Sequence, residues 1–227
     1  VVLRDNVVVN QGVFTVEFPH LLTTSQGLQF DTIYHEHFTY LSLLAVERIF
    51  ARHSLRVFDV ERLTTHGGSL RVFACRDGAA HATTQRVAAV RDAEIAAGLD
   101  RPEGYAGFDA KVRKLGDDLL AFLRQAKAEG RSVIGYGAAA KGNTLLNYCG
   151  IGPDLLPFIV DLSPAKQDKL CPGSRIPIRD PQALIDAQPD YVLILPWNLQ
   201  PEIERQMAQV RDWGGKFVVA VPEMRVS

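Results

Sequence analysis

The sequence has no run of about 18 apolar residues, so no stretch of it is long enough to cross a membrane as a helix. It has no basic block and a net charge of −1, which leaves nothing to grip a nucleic-acid backbone. No C-x-x-C pair occurs. Cys75, Cys149 and Cys171 are odd in number and far apart, a usage that points to reduced thiols in a cytoplasmic setting rather than to a disulfide frame or a zinc knuckle. No signal-peptide pattern opens the chain. An initiator methionine is also missing: Val1-Val2-Leu3 leads almost directly into an expected strand, as in a piece cut from a longer polypeptide. What is present fits a globular protein, with 47 % apolar and 22 % charged residues over 227 positions, enough for one large or two small domains.

The densest chemistry lies in Ile33-Tyr34-His35-Glu36-His37-Phe38. One phenol, one carboxylate and two imidazoles occupy four consecutive positions, between a β-rich segment and an apolar-periodic one. Loops carried on a rigid scaffold are where such groups do chemistry. Histidine titrates near neutrality and suits general acid–base work. Tyr34 and His37 are three apart and would share one face of a helix. Removing a C–H proton also requires a stabilised oxyanion, which a tyrosine hydroxyl or an imidazolium supplies. Metal binding is the rival for these side chains, but H-x-H with a glutamate is not H-E-x-x-H and no second cluster completes a tetrahedral set.

The first part of the chain reads as a strand at Gly12–Pro19, a loop over Thr23–Asp31 and a helix from an N-cap at Ser42 to Arg52, buried through Leu43, Val46, Ile49 and Phe50. Two antiparallel strands follow, Leu55–Leu63 and Ser69–Arg76, joined by Thr64-Thr65-His66-Gly67-Gly68. His66 is either a turn residue or a ligand contact. Helices are expected at Ala82–Ala97 and Phe108–Glu129, the latter with Val112, Leu115, Leu119, Phe122 and Leu123 inward and Gly130 as its stop. His20, His53 and His81 read as surface or loop residues.

From Ser132 the pattern changes to strands without alternation separated by helices, the mark of a parallel sheet covered on both faces. Strands are expected at Val133–Tyr136, Phe158–Asp161, Tyr191–Leu195 and Lys216–Val221. Helices are expected at Thr144–Cys149, Pro181–Ala187 and Pro201–Trp213, the last with Asn198 as N-cap. Gly135-Tyr136-Gly137-Ala138-Ala139-Ala140 fits G-x-G-x-x-G/A between a strand and a helix, and Asp161 ends the next strand where a ribose-binding acid would sit. Such a turn presents free N–H groups to an anion, and Lys141 adds a full charge. A diphosphate belongs equally to NAD and to a nucleotide sugar, and a tight turn that binds nothing fits as well. Trp197 either stacks on a base or packs on the helix after it.

The ordered series Tyr-His-Glu-His-Phe, His-Gly-Gly, Gly-Arg-Ser-Val-Ile-Gly-Tyr-Gly-Ala-Ala-Ala-Lys-Gly-Asn-Thr-Leu-Leu-Asn-Tyr-Cys-Gly-Ile, Asp161 with Ser-Pro-x-Lys-Gln, and Leu-Pro-Trp-Asn resembles the sugar C-methyltransferases of deoxysugar biosynthesis. That family uses S-adenosylmethionine to methylate C3 of a nucleotide-linked 4-keto deoxysugar. The resemblance implies a fold of class α/β, in which a Rossmann-like parallel sheet follows the last strands of a methyltransferase-type sheet. It implies residues 1–78 as the C-terminal part of the methyltransferase domain, 79–130 as connecting helices and 131–227 as the C-terminal domain. The family's zinc-binding domain and cofactor glycine loop would lie upstream, so the chain would pack against that missing part and would be inactive alone. His37 is implied as the base, with Tyr34 and Glu36 in the same pocket. Gly135, Gly137, Lys141, Asn143, Asp161, His66, Trp197 and Asn198 are expected toward the sugar nucleotide. The rival expectation is an NAD-type dinucleotide module; a third is a non-catalytic assembly domain.

Overall fold

The structure is a computed structural model that describes residues 11–227; the opening Val1-Val2-Leu3, read above as leading into a strand, lies outside them. The described chain forms an α/β fold divided into two compact units. One takes the residues up to Gln26 together with Thr39–Phe108; the other takes Gly27–Phe38 and Asp109–Ser227.

The first unit is a three-stranded antiparallel sheet backed by helices. Strand β1 (Phe14–Pro19) is followed by helix α1 (Leu21–Gln26), α2 (Leu43–Ala51), β2 (Leu55–Leu63), β3 (Ser69–Arg76) and α3 (Gln85–Ala96). The sheet order is β1-β3-β2, with Phe14 opposite Ala74 and Leu63 opposite Ser69. Pro19 is tolerated because β1 is an edge strand and needs no further N–H there. Alternate residues of β2 and β3, among them Val57, Val72 and Ala74, meet Leu43, Val46 and Phe50 of α2 and Val87 and Val90 of α3 in one core. Each fully buried Leu or Val there contributes roughly 1.5–3 kcal/mol.

Several expectations need correction in this unit. Part of the stretch expected as a loop over Thr23–Asp31 is helix α1, and Phe30–Thr32, which belongs to the second unit, is a 3₁₀ turn. Ile49 is 44 % exposed and lies off the buried stripe of α2. His20, expected at the surface, is 1 % exposed. Its Nε2 lies 2.7 Å from Oε1 of Glu94 on α3. The Glu94 carboxylate, itself 0 % exposed, also accepts from Leu43 N at 2.6 Å and Leu44 N at 2.9 Å, while Ser42 Oγ accepts from Ala45 N. Three of the four orphan donors at the start of α2 are thereby satisfied.

The second unit is built on a six-stranded sheet. Helix α4 (Phe108–Ala128) leads into β4 (Val133–Tyr136), α5 (Ala140–Tyr148), β5 (Ile159–Val160), β6 (Ile178–Arg179), α6 (Gln182–Ala187), β7 (Tyr191–Ile194), α7 (Gln200–Gln206), β8 (Lys216–Val219) and β9 (Arg225–Val226). Gly130 at φ +70° ends α4, with Arg131 N bonded to Ala126 O and Gly130 N to Lys127 O, the paired closure of a Schellman motif. The sheet order is β6-β5-β4-β7-β8-β9. All neighbours are parallel except β8 and β9. The chain therefore moves outward from β4 on one side, then returns to continue on the other through β7. That reversal is the switch point at which open α/β sheets hold ligands.

Two short strands, β6 and β9, add to the four expected. The helix expected over Pro201–Trp213 is broken: α7 ends at Gln206 and a 3₁₀ segment runs from Ala208 to Trp213. Asn198 is not its N-cap but lies within a 3₁₀ turn, Trp197–Leu199. Phe122 is half-buried rather than inward, its ring 5.1 Å from that of Tyr191. Among the described residues no helix is long and apolar enough to cross a membrane.

Candidate functional site

Residues 34–37 form a turn rather than a helix: His37 N donates to Tyr34 O at 2.9 Å. The turn still delivers the contact that helical spacing would give, because it brings Cα atoms three apart together. His37 Nε2 and Tyr34 Oη are 3.0 Å apart, and the rings meet edge to face with centroids 4.7 Å apart. Both side chains are half-buried, whereas His35 and Glu36 are exposed and Phe38 is 91 % exposed. A phenol and an imidazole in hydrogen-bond contact form a unit that can share a proton and offer a donor to a developing oxyanion.

Just before the turn, the chain is fastened to the second unit by buried side chains. Phe30 packs its ring 4.8 Å from that of Tyr148 on α5. Asp31 is 0 % exposed and accepts the indole N–H of Trp197 on Oδ2 at 2.7 Å, while its Oδ1 has no hydrogen-bond partner. Burial pushes the Asp31 carboxyl up to about 6, against the opposing pull of the Trp197 N–H and the Lys141 charge. Lys141 lies over the Trp197 ring, 4.6 Å from its centroid, and donates to Asn198 Oδ1 at 2.7 Å. Burial pushes the Lys141 ammonium down, with the Asp31 charge partly offsetting it. Lys141, Trp197 and Asn198 are therefore brought together around Asp31, which the sequence reading passed over.

The glycine turn has internal occupants. A Cβ on Gly135 would lie 2.7 Å from Ile159 Cγ1, one on Gly137 2.6 Å from Pro196 Cδ, and one on Gly142 2.6 Å from Leu195 Cβ. Gly137 also has φ +85°. Each glycine is thus explained by close packing of protein side chains. Asp161, at the end of β5, accepts Ala138 N on Oδ2 at 2.8 Å, Lys166 Nζ at 3.1 Å on the same oxygen, and Ser163 N on Oδ1 at 2.8 Å. The carboxylate ties down the very N–H that a pyrophosphate would need in a dinucleotide turn.

Beside the turn lies a cavity of about 400 Å³. Its walls include Ala138, Ala139 and Ala140 at the start of α5, Leu146, Ile159 and Ile178, with Lys166 and Lys169 at the rim. Ala139 caps α5 without a side-chain bond, so the partial positive charge of that helix end is open to a ligand. Asn143 also lines the cavity, and its Oδ1 is buried without a partner, which leaves an acceptor for a ligand donor. His35 lines the cavity as well. Of the two imidazoles in the stretch, the one not chosen from sequence lines this space.

His66 belongs to the first unit, where it is exposed at φ +55° in the turn between β2 and β3. Among the described residues no group of three or more histidine, cysteine, aspartate or glutamate side chains could hold a metal ion. The three cysteines are free and buried.

Comparison with known proteins places these features. The chain is 40 % identical over 215 residues to the C-methyltransferase NovU of Streptomyces niveus, an alignment that covers 95 % of this chain and 51 % of that protein. The chain thus spans about half the length of the curated relative it matches. A sequence profile described as the C-methyltransferase C-terminal domain matches residues 64–222, from the turn after β2 to the end of the parallel sheet. The chain belongs to the C-methyltransferase C-terminal domain family.

Proposed function

We propose that this chain is the C-terminal part of an S-adenosylmethionine-dependent methyltransferase that acts at C3 of a nucleotide-linked 4-keto deoxysugar. The observation that carries the reading is the Tyr34–His37 contact of 3.0 Å on a turn whose intervening His35 lines a cavity at the start of α5. In this reading His37 accepts the C3 proton. The electron pair it leaves behind delocalises into the C4 carbonyl as an enolate. Tyr34 orients the imidazole and can donate to the enolate oxygen, which lowers the barrier most where water is excluded. Glu36, exposed on the same turn, completes the pocket with groups outside this chain. When bound, S-adenosylmethionine would supply an electrophilic methyl group to that carbon and leave as S-adenosylhomocysteine.

The cavity would take the nucleotide part of the substrate. Apolar walls suit a base, while Lys169 and the N–H groups of α5 beyond the occupied Ala138 N suit a diphosphate. The rival dinucleotide reading has the strand–turn–helix topology in its favour, but Asp161 bonded to Ala138 N and the side chains against Gly135 and Gly137 count against it. Calorimetric titration separates the two. TDP- or UDP-linked sugars are expected to bind and NAD is not; micromolar NAD binding with no response to sugar nucleotides would overturn the proposal.

A further inference from the structure

We infer that Asp31 and Trp197 form a positioning pair that holds the Tyr34–His37 turn in place on the second unit. Segment Gly27–Phe38 is part of that unit although the residues on both sides of it belong to the other. Something must fix a twelve-residue excursion of this kind, because a free loop of that length would sample many conformations. The carboxylate of Asp31 is fully enclosed, and its bond to Trp197 Nε1 at 2.7 Å joins positions 166 residues apart. Trp197 stands directly after β7, at the carboxyl end of the sheet, where Leu195 N is bonded to Tyr136 O. The indole is therefore held by the sheet itself.

From Asp31 the chain reaches the turn through short, bonded steps. Thr32 Oγ1 donates to Gln29 O at 2.7 Å, Ile33 N to Phe30 O at 2.9 Å and Tyr34 N to Thr32 O at 3.1 Å. The position of Tyr34 thus follows that of Asp31 with little slack. A carboxylate without counter-ion contact on its second oxygen is costly to bury. Its use here is geometric: one oxygen gives the indole N–H its acceptor. Trp197 is accounted for on both its edge and its face, by Asp31 and by Lys141, so it positions the turn rather than stacking on a base.

The inference rests on the proposed role of His37 only for its catalytic consequence, and the test keeps the two apart. In Trp197→Phe, amide hydrogen exchange at residues 33–37 is expected to rise at least tenfold, while the amides of β7 and α5 keep their protection. Asp31→Asn, which retains an acceptor oxygen for the indole, is expected to stay within a few-fold of the wild type. Unchanged exchange at residues 33–37 in Trp197→Phe would overturn the inference, as would equal loosening of β7 and α5, which would make Trp197 a general core residue. In the full-length parent, Trp197→Phe is expected to slow exchange of the substrate C3 proton by about 100-fold, the order of loss that small misplacements of reacting groups cause, with sugar-nucleotide affinity nearly unchanged. If the turn loosens in Trp197→Phe but C3 exchange is as fast in His37→Ala as in the wild type, positioning stands and the assignment of the base fails.

Discussion

Replacing Glu94 by alanine removes one carboxylate and strands three donors. Its oxygens accept from the His20 ring nitrogen and from the first two backbone N–H groups of α2. Both side chains are enclosed, so water cannot substitute. An unsatisfied buried donor costs about 1–3 kcal/mol, so stranding three of them costs roughly 3–5 kcal/mol. Over a chain of this size, 3–5 kcal/mol corresponds to a fall in Tm on the order of 10 °C. Tryptophan fluorescence is the wrong probe, because Trp197 and Trp213 both belong to the second unit. Amide exchange of α2 reports the loss directly: residues 46–50 should exchange at least a hundredfold faster in Glu94→Ala, while β4 and β7 keep their wild-type protection. A change below about 1 kcal/mol by the same measurement would refute the view that Glu94 is what holds the start of α2. Glu94→Gln keeps one acceptor but turns an amide N–H₂ toward remaining donors, so it should lose roughly half as much.

Three further outcomes follow from the second unit. The raised pKa of Asp31, about 6 against an ordinary 3.8, means that the folded state favours the protonated carboxyl. Its contribution to stability is therefore full below about pH 4 and lost as pH rises through 6, a change on the order of 3 kcal/mol. Urea unfolding followed by Trp197 fluorescence should show this decline between pH 4 and 7 in the wild type and a flatter profile in Asp31→Asn; parallel profiles would show that the carboxyl is not the source. Cys149, whose thiol burial pushes up to about 11, should resist iodoacetamide at pH 8 in the native state and react only on unfolding; rapid native labelling would contradict its burial. Gly142→Ala places a Cβ 2.6 Å from Leu195 Cβ, and urea unfolding should show a loss of about 1–3 kcal/mol through overpacking against the segment after β7; an undiminished stability would mean that this segment shifts freely.

Much of the fold was legible because it rests on local patterns. Strands β2 and β3 alternate and are joined by glycines, and Ser42 sits where a helix needs an acceptor, so their limits could be read directly. Helix α1 was hidden because Leu21-Leu22-Thr23-Thr24-Ser25-Gln26 is short and rich in residues with weak helix propensity. Ile49 matched the apolar spacing of α2 yet faces outward, since the neighbouring sheet covers only one side. His20 reads as a loop residue until Glu94, 74 positions later, encloses it. The candidate site was legible in the same uneven way. Tyr34 and His37 meet by proximity in sequence, whereas the anchor that sets their place depends on Trp197, which no local signal links to Asp31. Asp161 stands where the motif places a ribose acid, but Ala138 N occupies it, a competition visible only in three dimensions.

The account stands or falls on the imidazole at position 37. The decisive measurement is exchange of the C3 proton of a nucleotide-linked 4-keto deoxysugar in D₂O, followed by NMR in the full-length parent without S-adenosylmethionine, for the wild type and His37→Ala. The prediction is rapid exchange in the wild type and a loss of about 10²–10⁴-fold in the variant, the usual worth of a positioned general base. Exchange at the native rate in His37→Ala would contradict it.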